Sequence, residues 1–330
     1  DKRNFFLRFA ACFGQFLIAH DATISYRDLP FRLYELTRYS FRKEQKGELT
    51  GLRRLRAFTM PDVHALCYDL HQAMDEFKTR FSLCLDVQQK IGLSKDDFEL
   101  AIRFTKGFYD GHKEFIEFLV KSFGKPALIE MWDERIFYFV LKYELNFVDS
   151  LNKASALSTD QIDVENGERY DMKFTDVDGS RKHPVVLHCS PTGAIERVMY
   201  ALLEKAMLSE IPMLPLWLCP TQIRIIPVTE SYTELAKSFM EEFEKKHIRT
   251  DLDDRTLHVG KKIREAEMEW VPYIIVIGEK EEKGSKLNVR IRELKEQKEM
   301  TKEEIVSYIQ HKTKDMPFKP LSLPKFLSKR

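Results

Sequence analysis

The 330-residue sequence predicts an α+β domain, with an antiparallel sheet flanked by helices, followed by a smaller α/β domain with a mixed sheet. Three observations lead to this prediction. Strand-like segments rich in aromatic and β-branched residues fill the stretch from Phe137 to Leu187. A linker with three prolines occupies 209–220, and strand patterns alternate with helical ones beyond it. We therefore expect the first domain at 1–210 and the second at 211–330.

Amphipathic helices are predicted ahead of the strand-rich stretch. Apolar residues recur at helical spacing through 69–92, and Gly92 closes that helix. Residues 96–105 end in a strand-like run, and 111–124 form another amphipathic helix. These helices supply the apolar faces that would cover the sheet.

The strand-rich stretch contains two turn signals, and a predicted helix start follows it. Asn166-Gly167 and Asp178-Gly179 predict tight turns of an antiparallel meander. Downstream, Ser190 is a suitable N-cap and Pro191 fits the first helical position, ahead of an apolar helix face. The sequence thus predicts a sheet that leads directly into a helix.

In the second domain, strands and helices are expected to alternate. The predicted strands are 221–229, 248–252, 272–279 and 287–293, and the predicted helices are 231–246, 259–268 and 301–314. The basic, proline-spaced segment 316–330 is expected to extend over the surface.

Composition limits the class of protein. The formal net charge is +1, so bulk charge does not predict a nucleic-acid partner. No apolar run approaches 18 residues and the start lacks signal-peptide features, so we expect a cytoplasmic protein without a membrane span. Five widely spaced cysteines without a C-x-x-C motif agree with a reducing compartment.

The first residues are hydrophobic and lack an initiator Met, so we expect the chain to begin partway through a domain.

Three arginines lie within four positions, at Arg53, Arg54 and Arg56. Residues 40–58 read as strand, polar loop and strand, so Arg42 near one end and Arg54 or Arg56 near the other could converge. Converging guanidiniums form a phosphate clamp, because they match phosphate oxygens bidentately.

The alternative for this hairpin is a solvated structure whose arginines pair with Glu44 and Glu48. Spacing alone leaves both interpretations open.

Longer motifs carry a family resemblance. "SFRKEQKGELTGLRRLRAF" resembles the second signature motif of class II aminoacyl-tRNA synthetases, and "HCSPTGAIERVMYALLE" resembles the third. Together with "SYRDLPFRLYEL", "RAFTMPDVHALC" and "LPLWLCPTQIRIIPVT", they resemble the archaeal-type threonyl-tRNA synthetase family over essentially the whole chain. The resemblance implies a class II catalytic core followed by an anticodon-binding domain.

The resemblance implies an ATP site, with Mg²⁺ accompanying the nucleotide. Arg42 would bind the α-phosphate, Glu44 the adenine, and Arg54 the region of the adenylate. Arg197 would stack on adenine near the γ-phosphate, and Gly193 would let the nucleotide approach. Arg42, Arg54 and Arg197 are the catalytic candidates, because they would stabilise charge spread over the phosphates.

The resemblance also implies one Zn²⁺ per chain, held by Cys12, His64 and His188. Their wide spacing is no local metal motif. Three protein ligands leave zinc coordination open, which is the catalytic arrangement. In this family the open positions take the amino and hydroxyl groups of threonine. Valine lacks that hydroxyl, whereas serine keeps it. This family usually adds a separate editing domain N-terminal to the catalytic core, and we do not expect that domain within residues 1–330.

Residues for threonine itself follow from the same resemblance. Asp62 would bind the amino group, Gln161 would lie near threonine and the terminal adenosine of tRNA, and Lys142 is a polar active-site position. Phe139 and Ala156 stand where bacterial members carry polar residues, so their roles are not carried over.

In the second domain, the resemblance implies an anticodon-reading segment. Glu281 and Arg290 would contact anticodon bases, and Asp254 and Arg255 are further candidates in a neighbouring loop. Without the resemblance, the acidic and basic residues near Glu281 would be interpreted as a solvated turn.

The implied function is threonine–tRNA ligase, with threonine, ATP and tRNA(Thr) as partners. The alternative is a non-catalytic class II synthetase-like protein that only binds RNA. The first class II motif, which builds most of the dimer interface in this class, would lie upstream of Cys12. A homodimer is therefore expected for full-length family members, and the sequence does not decide it for this chain.

Overall fold

The computed structural model describes residues 12–40, 45 and 47–330, together with residues 4 and 10. Arg42 and Glu44 lie outside the described residues. The chain divides into two compact units, Asp1–Glu204 and Lys205–Arg330.

The first unit contains ten strands and five helices among its described residues. The strands are β1 (Ile24–Ser25), β2 (Phe31–Ser40), β3 (Ala57–Cys67), β4 (Phe98–Thr105), β5 (Ala127–Trp132), β6 (Phe139–Val148), β7 (Ala154–Asp163), β8 (Phe174–Thr175), β9 (Arg181–Lys182) and β10 (Val185–Ser190). The helices are α1 (Cys12–Asp21), α2 (Leu70–Ile91), α3 (Lys106–Phe123), α4 (Asn166–Arg169) and α5 (Ile195–Leu208), whose last turn belongs to the second unit.

A seven-stranded sheet forms the centre of the first unit, in the order β2-β3-β10-β7-β6-β4-β5. All neighbouring strands are antiparallel except β4 and β5. Helix α2 covers one face, where Phe77 and Phe81 pack edge-on against Tyr143 of β6. The predicted antiparallel sheet with flanking helices is confirmed. A small sheet, β1-β8-β9, lies outside the main one.

Local signals explain where the two long helices begin. The side chain of Asp69 accepts a hydrogen bond from the Gln72 N–H, and Gly92 ends α2 with a φ of 110°. Thr105 caps α3 in the same way, so that helix starts ahead of the predicted 111. The prediction for 69–92 is confirmed.

One predicted turn is right and the other is wrong. Asp178-Gly179 joins β8 to β9, with a φ of 82° at Gly179. Asn166-Gly167 instead opens the short helix α4. The reason is the Asp163 carboxylate, which accepts the backbone N–H of Asn166 at 2.9 Å and its side-chain amide at 2.6 Å.

The predicted helix start at Ser190 and Pro191 is also wrong. Ser190 is the last residue of β10, and its hydroxyl donates to the Pro61 carbonyl at 2.7 Å instead of capping a helix. A left-handed turn at Gly193 follows, with a φ of 70°, and α5 begins only at Ile195.

The second unit is a mixed five-stranded sheet with helices. Its strands are β11 (Ile223–Pro227), β12 (Thr250–Leu252), β13 (Tyr273–Ile277), β14 (Leu287–Ile291) and β15 (Glu296–Met300). Its helices are α6 (Thr233–Lys245), α7 (Val259–Met268), α8 (Glu279–Lys283) and α9 (Lys302–Lys312). The order is β12-β11-β13-β14-β15, parallel around β11 and antiparallel from β13 onward. The predicted mixed sheet is confirmed. Nowhere in the described part of the chain does a helix have the length and apolarity needed to cross a membrane.

Each face of this second sheet has its own apolar core. Ile275 of β13 packs in a cluster with Phe243 of α6 and Ile309 of α9. Its neighbour Ile274 packs with Ala266 of α7. Because successive strand residues point to opposite faces, α7 lies on the side of the sheet away from α6 and α9.

Segment 316–330 is anchored along β12. The Leu252 N–H donates to the Lys325 carbonyl at 2.9 Å, and the Arg330 guanidinium donates to the Asp251 carboxylate at 2.7 Å. Ser328 donates both its N–H and its hydroxyl to Asp254. This segment therefore fixes the loop that follows β12.

Candidate active site

One transverse row of the seven-stranded sheet carries four polar residues singled out in the sequence. The register pairs His64 of β3 with His188 of β10 and His188 with Gln161 of β7. It also pairs Gln161 with Lys142 of β6. Residues directly opposite each other on neighbouring strands share a face, so strand pairing gathers side chains that are distant in sequence.

Cys12 of helix α1 meets this row at its two histidines. His64 Nε2 lies 3.0 Å from His188 Nδ1, and Cys12 Sγ lies 3.7 Å from the same Nδ1. The three ligand atoms all lie within 4.8 Å of one another. A tetrahedral zinc ion would hold such N and S atoms about 3.3–3.6 Å apart, given bonds of about 2.0–2.3 Å. The donor set and its spacing therefore fit a zinc ion.

Two further side chains determine which nitrogens face this centre. The Gln15 side-chain oxygen lies 2.8 Å from His64 Nδ1, and an Asp163 oxygen lies 2.7 Å from His188 Nε2. Each oxygen accepts the ring proton and leaves the other nitrogen as a ligand, as is common for histidines at metal centres.

Electrostatics keep these groups in the forms that metal binding needs. Burial, with the charges of His188 and Arg80, holds the pKa of His64 well below its usual range, which favours the neutral ring. Burial opposes ionisation of Asp163, but hydrogen bonds from His188, Asn166 and Glu165 outweigh it and lower its pKa.

The candidate threonine-binding residues lie beside this triad. Asp62 is buried on β3, two positions before His64 and therefore on the same face. The Gln161 side-chain oxygen accepts a hydrogen bond from the Tyr138 hydroxyl at 2.6 Å. The Lys142 ammonium pairs with Glu144 at 2.7 Å. The structure thus brings Asp62, Gln161 and Lys142 to the face that carries the histidines.

The arginine cluster lies in a loop and not on a strand. β2 and β3 form an antiparallel hairpin with Ser40 opposite Ala57, so the second strand begins only after Arg53, Arg54 and Arg56. Paired backbone hydrogen bonds between Thr50 and Arg54 close a tight turn there instead. The Arg54 guanidinium lies 3.3 Å from Glu48, one of the ion pairs that the sequence left open.

The start of helix α5 is fixed against this loop. Arg197 donates to the carbonyls of Arg53 at 3.0 Å and Ala156 at 3.2 Å. A Cβ at Gly193 would lie 2.3 Å from the Leu157 carbonyl oxygen, so the chain can pass there only as glycine. Arg197 is therefore hydrogen-bonded to the backbone of the residue that precedes Arg54.

The four candidate anticodon-binding residues of the second unit differ in their hydrogen bonds and ion pairs. Glu281 accepts the Gly278 N–H and so caps α8. Arg290 lies on β14, opposite Gln297 of β15. Arg255 forms ion pairs of 2.7 and 2.8 Å with Asp253 and Glu265. Asp254 is held by Ser328, as described above.

An open cleft of about 670 Å³ lies beside Arg290. Its lining combines Trp270 and four basic side chains with three acidic ones; the basic residues are Arg264, Arg290, Arg292 and Lys295, and the acidic ones are Glu210, Glu267 and Glu296. Its basic side chains suit the phosphates of RNA, and Trp270 suits an unstacked base.

Each of the two units matches the model of a known protein family. The family model "tRNA synthetase class II core domain (G, H, P, S and T)" matches residues 1–206, more than half of the chain. The chain belongs to the class II aminoacyl-tRNA synthetases. The model "Anticodon binding domain" matches residues 222–312 of this synthetase.

Within this class, the chain is similar to curated threonine–tRNA ligases. The chain is 56% identical over 340 residues to the threonine–tRNA ligase of Methanosarcina acetivorans and 58% identical over 334 residues to that of Pyrococcus furiosus. All of this chain aligns, but it covers 53% of each relative. The chain therefore spans about half the length of the archaeal threonine–tRNA ligases that it matches.

Solved synthetase structures share this fold. A threonyl-tRNA synthetase RNA-binding domain from Cryptosporidium parvum superposes with a TM-score of 0.79 at 23% identity, over 95% of this chain and 77% of that one. A prolyl-tRNA synthetase from the same organism gives 0.69 at 16% identity, over 92% and 57%. At such identities these likenesses concern the fold alone.

The sequence interpretation missed three residues of this synthetase's candidate site. Gln15 lies three positions after Cys12, and Asp163 lies two positions after Gln161. Tyr138 is one of several aromatics in "IFYFVLKYELNFV", which reads as core. Only tertiary side-chain contacts show that the three adjoin the histidine row, so no local pattern identifies them.

Proposed function

We propose that the chain carries the synthetic core of a threonine–tRNA ligase. It would activate threonine with ATP to threonyl-adenylate and transfer the threonyl group to the 3′ end of tRNA(Thr). The observation that carries the proposal is the Cys12–His64–His188 triad, next to Asp62 and Gln161 on one sheet face. The threonine–tRNA ligases that are 55–58% identical support it.

Cys12, His64 and His188 would hold one Zn²⁺ per chain. When bound, the metal offers open coordination positions to the amino and hydroxyl groups of threonine. An apolar pocket rejects a near-isostere only by about a hundredfold, whereas a site that must bond a hydroxyl rejects an analogue without one far more strongly. The triad thereby excludes valine.

Asp62, Gln161 and Lys142 would bind the rest of the amino acid. The Asp62 carboxylate is buried, so its attraction for the ammonium group of threonine is weakly screened. Gln161 and Lys142 present hydrogen-bonding groups on the neighbouring strands. Together they orient the threonine carboxylate toward the nucleotide.

The nucleotide would lie toward the β2–β3 loop and the start of α5. Arg54 and Arg197, with Arg42, neutralise the phosphates, Glu44 contacts adenine, and Gly193 leaves room for the nucleotide. The threonine carboxylate attacks the α-phosphorus, and pyrophosphate leaves with its Mg²⁺. No enzyme nucleophile is required, so catalysis consists of positioning and charge stabilisation.

The second unit would bind tRNA(Thr) through Glu281, Arg290, Asp254 and Arg255. An acid and an arginine suit base edges because one accepts and the other donates hydrogen bonds. The whole protein is proposed to act in the cytoplasm as a homodimer.

The test combines zinc analysis with ATP–pyrophosphate exchange on the same sample. We expect about one zinc per chain, with exchange for threonine, less for serine and none for valine. His64→Ala should lose zinc and exchange, whereas His71→Ala, an exposed histidine on α2, should keep both. Folded protein without zinc, or a His64→Ala variant that retains it, would contradict the proposed site.

A further inference from the structure

Ser328 makes two hydrogen bonds to the carboxylate of Asp254, one to each oxygen. Its backbone N–H donates to Oδ1 at 2.9 Å, and its hydroxyl donates to Oδ2 at 2.5 Å. Ser328 carries no charge, so these bonds orient the carboxylate without neutralising it. Each carboxylate oxygen keeps a lone pair that can accept a further hydrogen bond. Asp254 is thus held as an oriented, negatively charged acceptor.

The segment that carries Ser328 is itself fixed to the second unit. Phe326 packs against the apolar core that α6 and α9 share with the sheet. The Lys325 ammonium pairs with Glu244 of α6 at 2.7 Å. On the other side of Ser328, the Arg330 guanidinium donates to a buried carboxylate of β12. Ser328 is therefore held from both sides by contacts that do not involve Asp254.

The residues on either side of Asp254 are engaged within the fold. The Asp253 carboxylate is fully buried and pairs with Arg255 at 2.7 Å. The Arg255 guanidinium also pairs with Glu265 at 2.8 Å. Asp254 is only partly buried, so its carboxylate is accessible to a base. Of the two candidates in this loop, the structure therefore favours Asp254 over Arg255 for a direct base contact.

We propose that Ser328 is a positioning residue that holds the Asp254 carboxylate ready to accept N–H groups of an anticodon base. The inference rests on the proposed function, because it names the residue that orients one of the proposed anticodon-binding residues. A carboxylate only accepts hydrogen bonds, so it suits base edges that carry N–H donors. Orienting the side chain in advance lowers the entropic cost of binding, because the RNA does not have to order it.

The experiment measures binding of the anticodon stem-loop of tRNA(Thr) by fluorescence anisotropy. A hairpin in which all three anticodon bases are substituted is measured beside it. Ser328→Ala should weaken binding of the cognate hairpin about three- to tenfold, the cost of ordering one side chain on binding. Its effect on the substituted hairpin should stay below about twofold, because that hairpin lacks the base that Asp254 would contact.

A double variant tests whether Ser328 acts through Asp254. In the Asp254→Ala background, Ser328→Ala should change binding of the cognate hairpin by less than about twofold, because coupled residues are not additive. Ser328→Thr keeps both donors and should bind as the wild type does. Ser322→Ala is the matched control, since it removes an exposed hydroxyl from the same terminal segment and should leave binding unchanged.

Three outcomes would overturn the inference: unchanged binding of the cognate hairpin by Ser328→Ala, equal weakening of both hairpins, or effects that multiply in the double variant. If the wild type prefers the cognate hairpin in those cases, the proposed function stands. A folded wild type that shows no such preference would overturn the proposed anticodon role of the second unit and this inference with it.

Discussion

Asp163 accepts the Nε2 proton of His188 at 2.7 Å, and this bond determines which nitrogen of that imidazole faces Cys12 and His64. Asp163 is itself held by the N–H groups of Glu165 and Asn166, at the start of α4. The end of β7 therefore orients a ligand on β10. Metal affinity should depend on a residue that never contacts the metal.

Asp163→Asn should lower zinc affinity about 10–100-fold, which is the usual effect of losing the carboxylate that holds a metal-binding histidine. The amide is a weaker acceptor than the carboxylate, so the His188 ring loses the group that fixes its tautomer and orientation. Competition with a zinc-binding dye measures the affinity directly.

Asp171→Asn is the control for this change, because Asp171 is an exposed carboxylate that pairs with Lys173. It should bind zinc as the wild type does. Equal affinities for Asp163→Asn and the wild type would show that His188 needs no such support.

The sequence predicted the helices and most strands because their periodicity is local. The buried pattern of β6 alternates residue by residue, and α2 has a clear cap at each end. β15 was not predicted, since this outer strand reads "EQKEM" and is nearly all exposed. Charged edge strands guard against pairing with other chains, but they carry no apolar signal.

The candidate site was predictable only through the family resemblance. His64 and His188 are far apart in sequence, and nothing local shows that β3 and β10 pair in the register that joins them. The orienting residues Gln15 and Asp163 belong to types that are common on surfaces and in turns. Their roles depend on tertiary contacts.

Gly193→Ala should destabilise the chain more than Gly179→Ala does. Both residues have positive φ, of 70° and 82°, so each alanine costs about 1–2 kcal/mol in backbone strain. At Gly179 a Cβ would meet nothing within 4 Å, whereas at Gly193 it would lie 2.3 Å from the Leu157 carbonyl oxygen. The clash adds to the strain at Gly193 only.

Urea unfolding of the two variants measures this difference in the free energy of unfolding. Exchange assays on Gly193→Ala should also show a raised ATP KM, because the turn precedes Arg197. Similar unfolding midpoints for both variants would contradict the structural argument.

The ion pair between Asp253 and Arg255 should make stability depend on pH. Asp253 is fully buried. Burial raises its pKa, but the hydrogen bonds and charge of Arg255 outweigh burial and lower it. A carboxyl with a lowered folded-state pKa stabilises the fold above its unfolded pKa of about 3.9, and that stabilisation disappears as pH falls through the folded pKa.

Asp253→Asn should therefore lose about 2 kcal/mol at pH 7, and its deficit against the wild type should shrink as pH falls toward 3. Urea midpoints at several pH values measure this convergence. Glu234→Gln is the control, because Glu234 is largely exposed and should show no deficit at any pH. A deficit for Asp253→Asn that stays constant down to pH 3 would exclude a titrating ion pair.

Arg290→Ala should weaken tRNA binding without affecting amino-acid activation. Arg290 lines the cleft of the second unit, and loss of one base contact costs about 1–3 kcal/mol. ATP–pyrophosphate exchange requires no tRNA, so its rate should equal that of the wild type, while the tRNA KM in aminoacylation rises. Lys280→Ala, which changes an exposed residue of α8, is the control and should alter the tRNA KM little.

If Arg290 contacts a base specifically, Arg290→Ala should also reduce the difference in affinity between cognate tRNA and tRNA with a substituted anticodon. If both variants weaken all tRNAs equally, Arg290 contributes only charge, and reading of the anticodon must be assigned to other residues.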